Sequence, residues 1–458
     1  MQLIFSFDTE EYETPGIDDT IKIWANMLAK YGCRGAFCTV GEKARVLLER
    51  GRKDIIDTLA AHEIDFHSNW HSRHPLHAEY LDELGWDDGV QRVVDEESPG
   101  IQDVEKILGQ RPIAYCKPGG SWGPQVAGGM ALMGLPVFCD APFEFAPGKP
   151  MWYCNQLFIG YHTSFDRYFE VENRLAQMKA DFRQLCDRIG DGTIVMYTHP
   201  VRLFTRKFAD NFRYGRNTPR SEWVPAPMRT RLQIDALIRD FDAFVKYVVG
   251  EGIEVIDYQQ LYQQYKETPI WLDGKNLIQL AEQIQQELSY QIIDGVAYSP
   301  AEIFGLIVFA LDWHRRTGKL PEMTPIRRLI GPTQTLKFDE SEATINVGVL
   351  MDSIGEINAR LTENHRVPSS IAIENRAIAP GTFLKAAAQI LGTIATHTKP
   401  LTQISLDLDW QLPTIVHRSD FASMNFNWSM FYPGFEGKRV IEMAKLQAWT
   451  AKPALKTG

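Results

Sequence analysis

Short apolar runs alternate with amphipathic stretches through the first 265 residues of the chain. The runs LIFSF (3–7) and GAFCTVG (35–41) are typical of buried strands, and residues 18–32 and 44–62 repeat apolar side chains at helical spacing. Strands separated by helices of this length form parallel βαβ units. The pattern therefore predicts an α/β fold, either a barrel or a doubly wound sheet. Further strand-like runs are EIDFH (63–67), PIAYC (112–116), LPVFCD (135–140), NQLFIGY (155–161) and GTIVMYTH (192–199).

A stretch that contains proline and glycine, KETPIWLDGKN (266–276), ends this regular alternation. We predict a first domain over residues 1–266 and a second, mainly helical α+β domain over residues 274–458. Residues 295–311 and 375–391 look alike, because each runs through alanine, a small residue and proline into a helix. Two ordinary helix starts explain this likeness most simply, and an internal duplication is the alternative.

Composition and charge narrow the classes of function. The net charge is -10 and no basic run is present, which argues against nucleic acid as a partner. The longest apolar stretch, residues 303–313, is too short for a transmembrane segment, and the N-terminal residues MQLIFSFDTEEY do not resemble a signal peptide. The six cysteines lack C-x-x-C pairing, as expected for free buried thiols. We therefore expect a cytoplasmic protein.

Polar residues whose side chains could take part in catalysis or metal binding follow the predicted strands at the point where each strand ends. Because the carboxyl ends of parallel strands meet at one edge of a sheet or barrel, residues that are distant in sequence are expected to lie together there. The candidates are Asp8 and Glu10, His67 and His71, Lys117 and Pro118, Asp140, and His199.

Some of these candidates offer the donor groups of a metal site. His67 and His71 are separated by four positions, which places both imidazoles on one side of a helical turn. Two imidazoles and one carboxylate suit Zn²⁺, with Co²⁺, Ni²⁺ or Mn²⁺ as alternatives. Taken singly, Asp8 could instead cap a turn and Glu10 could be solvated.

At this point the motifs resemble the polysaccharide deacetylases of the NodB type, also called carbohydrate esterase family four. FSFDTE (5–10) is similar to the family's first motif, and AHEIDFHSNWH (61–71) is similar to its Gly-His-Glu-Ile-Gly-x-His-Ser-x-x-His motif. GAFCTVG, YCKPGGSW (115–122) and IVMYTHP (194–200) match further motifs in the same order. The resemblance covers residues 1–265 and does not extend to the second domain.

The resemblance implies a deformed (β/α) barrel and metal-assisted hydrolysis of an N-acetyl group. It makes Asp8 the general base and His199 the general acid. It makes Glu10, His67 and His71 the metal ligands. Carbohydrate is then the expected partner.

One position departs from the family pattern. The family has an arginine that pairs with the base, and this chain has Lys117 or Cys116 there, depending on how the motif is aligned. We assign Lys117 to the catalytic set because it can supply charge, although neither residue can form the two-pronged contact of arginine. Neighbours on an extended strand point to opposite sides, so only one of the two can face Asp8.

Several other residues are given roles around the cleft. His62 is expected to be a packing residue, and His74 is a weaker alternative ligand. Asp65 is expected to cap or to be solvated, or else to support a ligand histidine. Residues 202–227, rich in arginine and aromatics, form either a substrate loop or a solvated loop. The predicted substrate-binding residues are Trp70, Pro118, Gly119, Trp122 and Asp140.

Three functions stay open from the sequence. The first is a metal-dependent sugar N-deacetylase, the second a metal-independent amide hydrolase of the same fold, and the third a non-catalytic glycan-binding protein. The second domain faintly resembles pseudomurein-binding repeats in WHRRTGKLPEM (313–323), which suggests a glycan-binding role. A helical packing domain that forms a homo-oligomer is the simpler expectation.

Overall fold

The computed structural model describes residues 1–208, 226–265, 269–338, 344–374, 376–397, 399–422 and 424–456. They form two compact units, and neither unit is continuous in sequence. The first unit comprises Met1–Pro150, Gln156–Gln264 and Asn425–Gly437, and the second comprises Met151–Asn155, Tyr265–Met424 and Lys438–Gly458.

The first unit is built on one sheet in which every described strand pair is parallel. Its strands, numbered along the chain with β6 (Met151–Tyr153) left to the second unit, are β1 (Gln2–Thr9), β2 (Ala36–Thr39), β3 (Glu63–Phe66), β4 (Ala114–Cys116), β5 (Val137–Cys139), β7 (Gln156–Ile159), β8 (Thr163–Ser164), β9 (Thr193–Thr198) and β10 (Glu254–Val255). Their order in the sheet is β7-β5-β4-β3-β2-β1-β9-β8, and β10 also pairs with β1. The sheet is a curled half-barrel, so the predicted deformed (β/α) barrel is confirmed.

Strand β1 lies at the centre of this sheet, and all eight of its residues are buried. Phe7 stacks on Phe37 of β2 with ring centroids 4.6 Å apart. A strand buried on both faces reads as a continuous apolar run, which is why LIFSF does not alternate with polar residues. The polar residues Asp8 and Glu10 follow only where β1 reaches the edge of the sheet.

Helices connect the strands of the first unit. They are α1 (Asp19–Ala29), α2 (Gly41–Glu49), α3 (Lys53–Leu59), α4 (His77–Leu81), α5 (Trp86–Leu108), α6 (Pro124–Leu132), α7 (Arg174–Ile189), α8 (Arg231–Gly250) and α9 (Tyr258–Gln264), with 3₁₀ turns at Pro15–Ile17, Phe165–Tyr168 and Pro200–Leu203. The pattern over 44–62 predicts one helix, but the structure has two, α2 and α3, because Gly51 adopts a left-handed conformation (φ +66°) that ends the first.

The second unit is mainly helical and contains short strand pairs, as the fold prediction expects. Its strands besides β6 are β11 (Trp271–Asp273), β12 (Gln291–Ile293), β13 (Val296–Tyr298), β14 (Met323–Pro325), β15 (Thr344–Asn346), β16 (Ile371–Ile373), β17 (Arg376–Ile378), β18 (Gln403–Ser405) and β19 (Lys452–Pro453). Its helices are α10 (Gly274–Ile284), α11 (Pro300–Thr317), α12 (Val347–Asn364), α13 (Pro380–Ala395), α14 (Ser419–Ala422) and α15 (Lys438–Gln447), with 3₁₀ turns at Thr414–His417 and Ala448–Thr450.

One arrangement occurs twice in this unit. A short strand and a helix lead into a tight hairpin, then into a helix that begins with proline, and finally into a strand that pairs antiparallel with the first. The first copy runs from β11 to β14 and the second from β15 to β18. The likeness of residues 295–311 and 375–391 therefore extends to whole βαββαβ modules, which favours the internal duplication over two unrelated helix starts.

Sequence signals explain why α11 begins and ends where it does. The hydroxyl of Ser299 accepts a hydrogen bond from the backbone N–H of Glu302, whose carboxylate accepts one from the backbone N–H of Ser299. Pro300 occupies the first helical position, and Gly318 ends the helix at φ +73°. Among the described helices, none combines the length and apolar character that a membrane crossing requires.

Candidate metal and catalytic site

The carboxyl edge of the first unit's sheet collects side chains from several strands. Asp8 and Glu10 come from the end of β1, His67 follows β3, Cys116 ends β4, and His199 follows β9. The edge rule for parallel strands thus holds here, and residues 8 and 199 lie within contact distance of each other. We describe first the ligand set and then the proton-transfer groups.

Glu10, His67 and His71 are all buried and face one another. Oε2 of Glu10 lies 3.0 Å from Nε2 of His71 and 3.9 Å from Nε2 of His67. The three candidate ligand atoms lie within 4.8 Å of one another. One carboxylate and two imidazoles at this spacing suit a divalent cation and leave positions for water and substrate.

The hydrogen bonding of His67 prepares it as a ligand. Its Nδ1 lies 3.0 Å from the backbone carbonyl of Cys116, which can only accept, so Nδ1 carries the proton. In this tautomer the lone pair is on Nε2, which is buried and has no hydrogen-bond partner among the described residues. Such a carbonyl contact commonly orients metal-binding histidines. The residues therefore fit a metal ion.

The loop after β3 holds His71 in a strained backbone conformation. Ser68 and His71 both have positive φ, 65° and 56°, which non-glycine residues adopt at a cost of about 1–3 kcal/mol each. The N–H of His71 donates to Oγ of Ser68 at 2.8 Å, and Nδ1 of His71 lies 2.6 Å from Oγ of Ser72. Strain that is held by specific hydrogen bonds is typical of a functional site.

Electrostatics keep Glu10 ionised. Burial raises the pKa of its carboxyl, but the nearby charges of His199 and His71 outweigh burial and hold the pKa well below its usual value. A carboxylate is the form that binds a cation. Glu10 thus offers a negatively charged ligand.

Asp8 is fixed by two neutral donors. The hydroxyl of Tyr161 donates to Oδ1 of Asp8 at 2.8 Å, and Sγ of Cys116 donates to the same oxygen at 3.4 Å. Burial raises the pKa of both donors well above their usual values, so both keep their protons. The other oxygen, Oδ2, lies 3.7 Å from Nε2 of His199.

The side chain of Lys117 contacts Asp140 and Gly119 and not Asp8. Its ammonium group pairs with the carboxylate of Asp140 and donates to the carbonyl of Gly119 at 2.8 Å. Of the two candidates for the arginine position, the structure places Cys116 beside Asp8 and Lys117 on Asp140. The alternation of side chains along an extended strand accounts for this difference.

His199 is a buried cation beside Asp8 and Glu10. Its Nδ1 lies 2.5 Å from Oδ2 of Asp166, while its Nε2 lies 3.8 Å from Oε2 of Glu10. Burial lowers the pKa of His199, but the charges of Glu10, Asp166 and Asp8 raise it to about 10. His199 is therefore protonated at neutral pH, and the contact with Asp166 fixes the orientation of its ring.

A cavity of about 470 Å³ opens above these groups. Gly119 and Asp140, two of the predicted substrate-binding residues, line it. Trp70, Pro118 and Trp122 are not among its lining residues: Trp70 lies against the guanidinium groups of Arg45 and Arg73, and Trp122 is buried. The lining residues are Asp8, His67, Lys117, Gly119, Gly120, Asp140, Tyr161, Tyr197, His199, Asn427, Trp428 and Ser429.

The other histidines and acids near the ligand loop have local partners. Nδ1 of His62 accepts a hydrogen bond from the N–H of Gly35 at 3.1 Å, and Nδ1 of His74 lies 2.8 Å from Oε2 of Glu79. Asp65 is buried and accepts a hydrogen bond from the N–H of Ala114 at 2.9 Å, so it supports β4 and not a ligand histidine.

The segment that follows His199 contributes one ring. Phe208 contacts the imidazole of His199 edge-on at 4.6 Å, and the guanidinium of Arg202 lies 4.6 Å from the centre of the Phe208 ring. The prediction of a substrate loop over 202–227 falls largely on residues 209–225, which lie outside the described residues.

Sequence reasoning missed several residues of the site. Tyr161 ends the strand-like run NQLFIGY, so the rule that gave the other candidates also applies to it. Asp166 follows a strand of only two residues, which has no clear apolar pattern. Asn427, Trp428 and Ser429 lie more than 200 residues beyond the last motif, and no local signal connects them to the barrel.

Comparisons with known proteins give structural neighbours only. No family model and no curated protein matches the chain. A protein from Mycobacterium smegmatis that is assigned to the polysaccharide deacetylases shares 16% identity at a TM-score of 0.38, over 57% of this chain and 88% of that one. The peptidoglycan deacetylase PdaC from Bacillus subtilis shares 15% identity at a TM-score of 0.29, over 57% and 89% of the two chains.

A third neighbour is a family 4 pseudoenzyme from Bacillus anthracis, with 13% identity and a TM-score of 0.32 over 57% of this chain and 64% of that one. Identities and TM-scores this low carry no conclusion about activity. What this chain does has to be argued from the geometry of its own site.

Proposed function

We propose that the chain is a metal-dependent hydrolase that removes the N-acetyl group from an amino sugar. The observation that supports this most directly is that two sets of side chains lie next to each other at the carboxyl edge of the sheet. Glu10, His67 and His71 are the proposed ligands, and Asp8 and His199, which lie beside them, are the proposed base and acid.

A divalent cation would be held by Glu10, His67 and His71, and it would supply Lewis-acid polarisation of the acetyl carbonyl. We favour Zn²⁺ because the donor set mixes imidazole nitrogen with a carboxylate, although Co²⁺, Ni²⁺ and Mn²⁺ accept the same ligands. The buried, unpartnered Nε2 of His67 supports such an occupant, because a buried polar atom without a partner is costly.

Asp8 is placed to act as the general base. Oδ1 is engaged by Tyr161 and Cys116, so the lone pairs of Oδ2 are left to face His199 and the pocket. An oxygen held in this way can accept a proton from the attacking water without first reorienting. The two neutral donors fix the carboxylate while adding no positive charge at Oδ1.

His199 is placed to act as the general acid. It is protonated, its ring is oriented through Asp166, and it lies at the wall of the pocket. Proton transfer from Nε2 to the departing amine nitrogen would complete the hydrolysis. The imidazolium also supplies positive charge near Asp8, which compensates in part for the missing arginine.

Metal analysis together with an activity assay tests this proposal. The purified chain should contain one divalent cation per molecule and should release acetate from N-acetylated chito-oligosaccharides. Treatment with a chelator should abolish this release, and added Zn²⁺ should restore it. The control variant is Asp8→Asn, which should bind metal and sugar but release no acetate.

Each alternative function gives a different result. A metal-independent amide hydrolase would keep its activity after complete removal of metal. A non-catalytic glycan-binding protein would bind the sugar without releasing acetate, and Asp8→Asn would behave like the wild type. Failure to bind either metal or sugar would contradict the proposal outright.

A further inference from the structure

A segment far from the barrel motifs forms one wall of the pocket. Residues Asn425–Gly437 belong to the first compact unit, although they follow almost the whole of the second unit in sequence. Asn427, Trp428 and Ser429 from this segment line the same cavity as Asp8 and His199. The wall segment, residues 425–437, is therefore part of the candidate active site.

Trp428 sits directly beside the ligand set. Its ring centre lies 5.8 Å from that of His71, in an edge-on arrangement. It also fills the space where a side chain at position 119 would be, because a Cβ built on Gly119 would lie 2.4 Å from an indole atom. Trp428 is half-buried, so part of the indole stays open to a ligand.

Aromatic packing fixes the wall segment in place. Phe431 stacks on Phe435 with ring centres 4.8 Å apart, and Phe426 meets both rings edge-on at 5.6 Å. The backbone N–H of Tyr432 donates to Oε1 of Glu79 at 3.4 Å, and the ring of Tyr432 lies 4.6 Å from that of His74. These contacts hold Trp428 in position before a ligand arrives, which lowers the entropic cost of binding.

The rest of the lining explains why an aromatic surface matters here. Asp8, Lys117, Asp140 and His199 give the pocket charged and hydrogen-bonding groups that suit hydroxyl and amide groups. A pyranose ring also has an apolar C–H face, and an indole is a large surface on which such a face can pack. Trp428 is the largest aromatic side chain that lines the cavity.

We propose that Trp428 is the platform on which the sugar ring of the substrate stacks, and that the pocket takes an amino sugar as one or two pyranose units. This inference rests on the proposed function, since it assigns the substrate to the same site. The cavity of about 470 Å³ lies in the range of small-molecule sites, which supports a short ligand. The wall segment thereby makes the second half of the sequence part of substrate recognition.

Binding and kinetics of Trp428 variants test the inference. Calorimetric titration of chelator-treated protein with N-acetylglucosamine and with N,N'-diacetylchitobiose gives Kd without hydrolysis. Trp428→Ala should weaken sugar binding and raise KM by about tenfold with little change in kcat. Trp428→Phe should lose about threefold or less in affinity for the sugar. Trp313→Ala, at an exposed tryptophan of the second unit, is the matched control and should bind like the wild type.

The outcomes separate this inference from the function on which it rests. If Trp428→Ala is correctly folded, as circular dichroism can show, and binds the sugars with the same Kd as the wild type, Trp428 is not the platform. If sugar binding depends on Trp428 but the wild-type chain releases no acetate, the platform is supported and the proposed hydrolase function is contradicted. A wild-type chain that binds neither sugar would overturn both.

Discussion

The hydroxyl of Tyr161 donates a 2.8 Å hydrogen bond to Oδ1 of Asp8, and Oδ2 of the same carboxylate lies 3.7 Å from Nε2 of His199. Tyr161 thus fixes one oxygen of the proposed base. Because the Tyr161 hydroxyl is neutral, it fixes the direction of the carboxylate without adding a positive charge at Oδ1.

Replacement of Tyr161 by phenylalanine should lower kcat by about tenfold to a hundredfold, since a hydrogen bond to a charged group contributes about 1.5–3 kcal/mol. KM should change little, because the hydroxyl holds the base and not the sugar. Steady-state kinetics measure both values. Tyr168→Phe removes a similar tyrosine–aspartate hydrogen bond, to Asp181, outside the pocket, and it should retain full activity. Equal kinetics in the two variants would remove Tyr161 from the mechanism.

Glu10→Gln and His67→Gln should each abolish stoichiometric binding of Zn²⁺, because each removes one of three protein ligands. His74→Gln should retain the metal, since Nδ1 of His74 is engaged by Glu79 and not by the ligand set. Elemental analysis after dialysis measures the Zn²⁺ content, and calorimetry measures the affinity for Zn²⁺. Retention of metal by His67→Gln, or its loss in His74→Gln, would show that the ligand set is misassigned.

His199 should make stability depend on pH in a defined direction. Its pKa in the folded chain is about 10, against an ordinary value of 6.5, so the folded state binds the proton more tightly. The stabilisation is fully present below pH 6.5 and is lost as pH rises through about 10. In chelator-treated protein, the difference in unfolding free energy between wild type and His199→Gln should therefore shrink between pH 7 and pH 10.

His62 provides a control of opposite sign. Burial, with a smaller effect from Arg34, lowers the pKa of His62 to about 4, so the folded state disfavours its proton. The resulting loss of unfolding free energy should be absent above pH 6.5 and should grow as pH falls towards 4. Denaturant unfolding of wild type and His62→Gln at pH 7 and pH 5 checks this. If the difference in unfolding free energy between wild type and variant changed in the same direction with pH for His62→Gln and His199→Gln, the assignment would be contradicted.

Two glycine-to-alanine changes should have opposite effects. Gly119 has φ +51° and faces the indole of Trp428, so Gly119→Ala combines a strained backbone, about 1–2 kcal/mol, with a clash. Gly392 lies inside α13 with open space around it, so Gly392→Ala should stabilise the chain by about 1 kcal/mol. Thermal unfolding ranks the two variants, and a stabilised Gly119→Ala would mean that Trp428 does not occupy this space.

The amino-acid pattern alone is sufficient to predict parallel βαβ units and the group that gathers at the carboxyl edge of their sheet, whereas the barrel is predicted only from the resemblance of the motifs. A buried parallel strand ends where its apolar run ends, so the pattern places Asp8, Glu10, His67 and His199 at one edge. The choice between Cys116 and Lys117 cannot be made in this way. Strand alternation says that the two point apart, but it does not say which one faces Asp8.

Contacts between distant segments are the part that the pattern does not predict. Trp70 and Trp122 are expected at the cleft because they stand inside motifs, but neither lines the cavity. Trp428 does line it, and it lies in an aromatic stretch with no period and no motif. The glycan-binding or oligomerising role of residues 274–458 stays a prediction, which size-exclusion chromatography and glycan binding can test.

The packing of Trp428 against Gly119 also has a consequence for how such chains can diverge. A lineage that lost the wall segment would free position 119 to accept any side chain compatible with its backbone, while a lineage that gained bulk at position 119 would have to displace the tryptophan. The two positions should therefore change together among relatives. Glycine at 119 would then mark the chains whose pocket is closed by a tryptophan from the far end of the sequence.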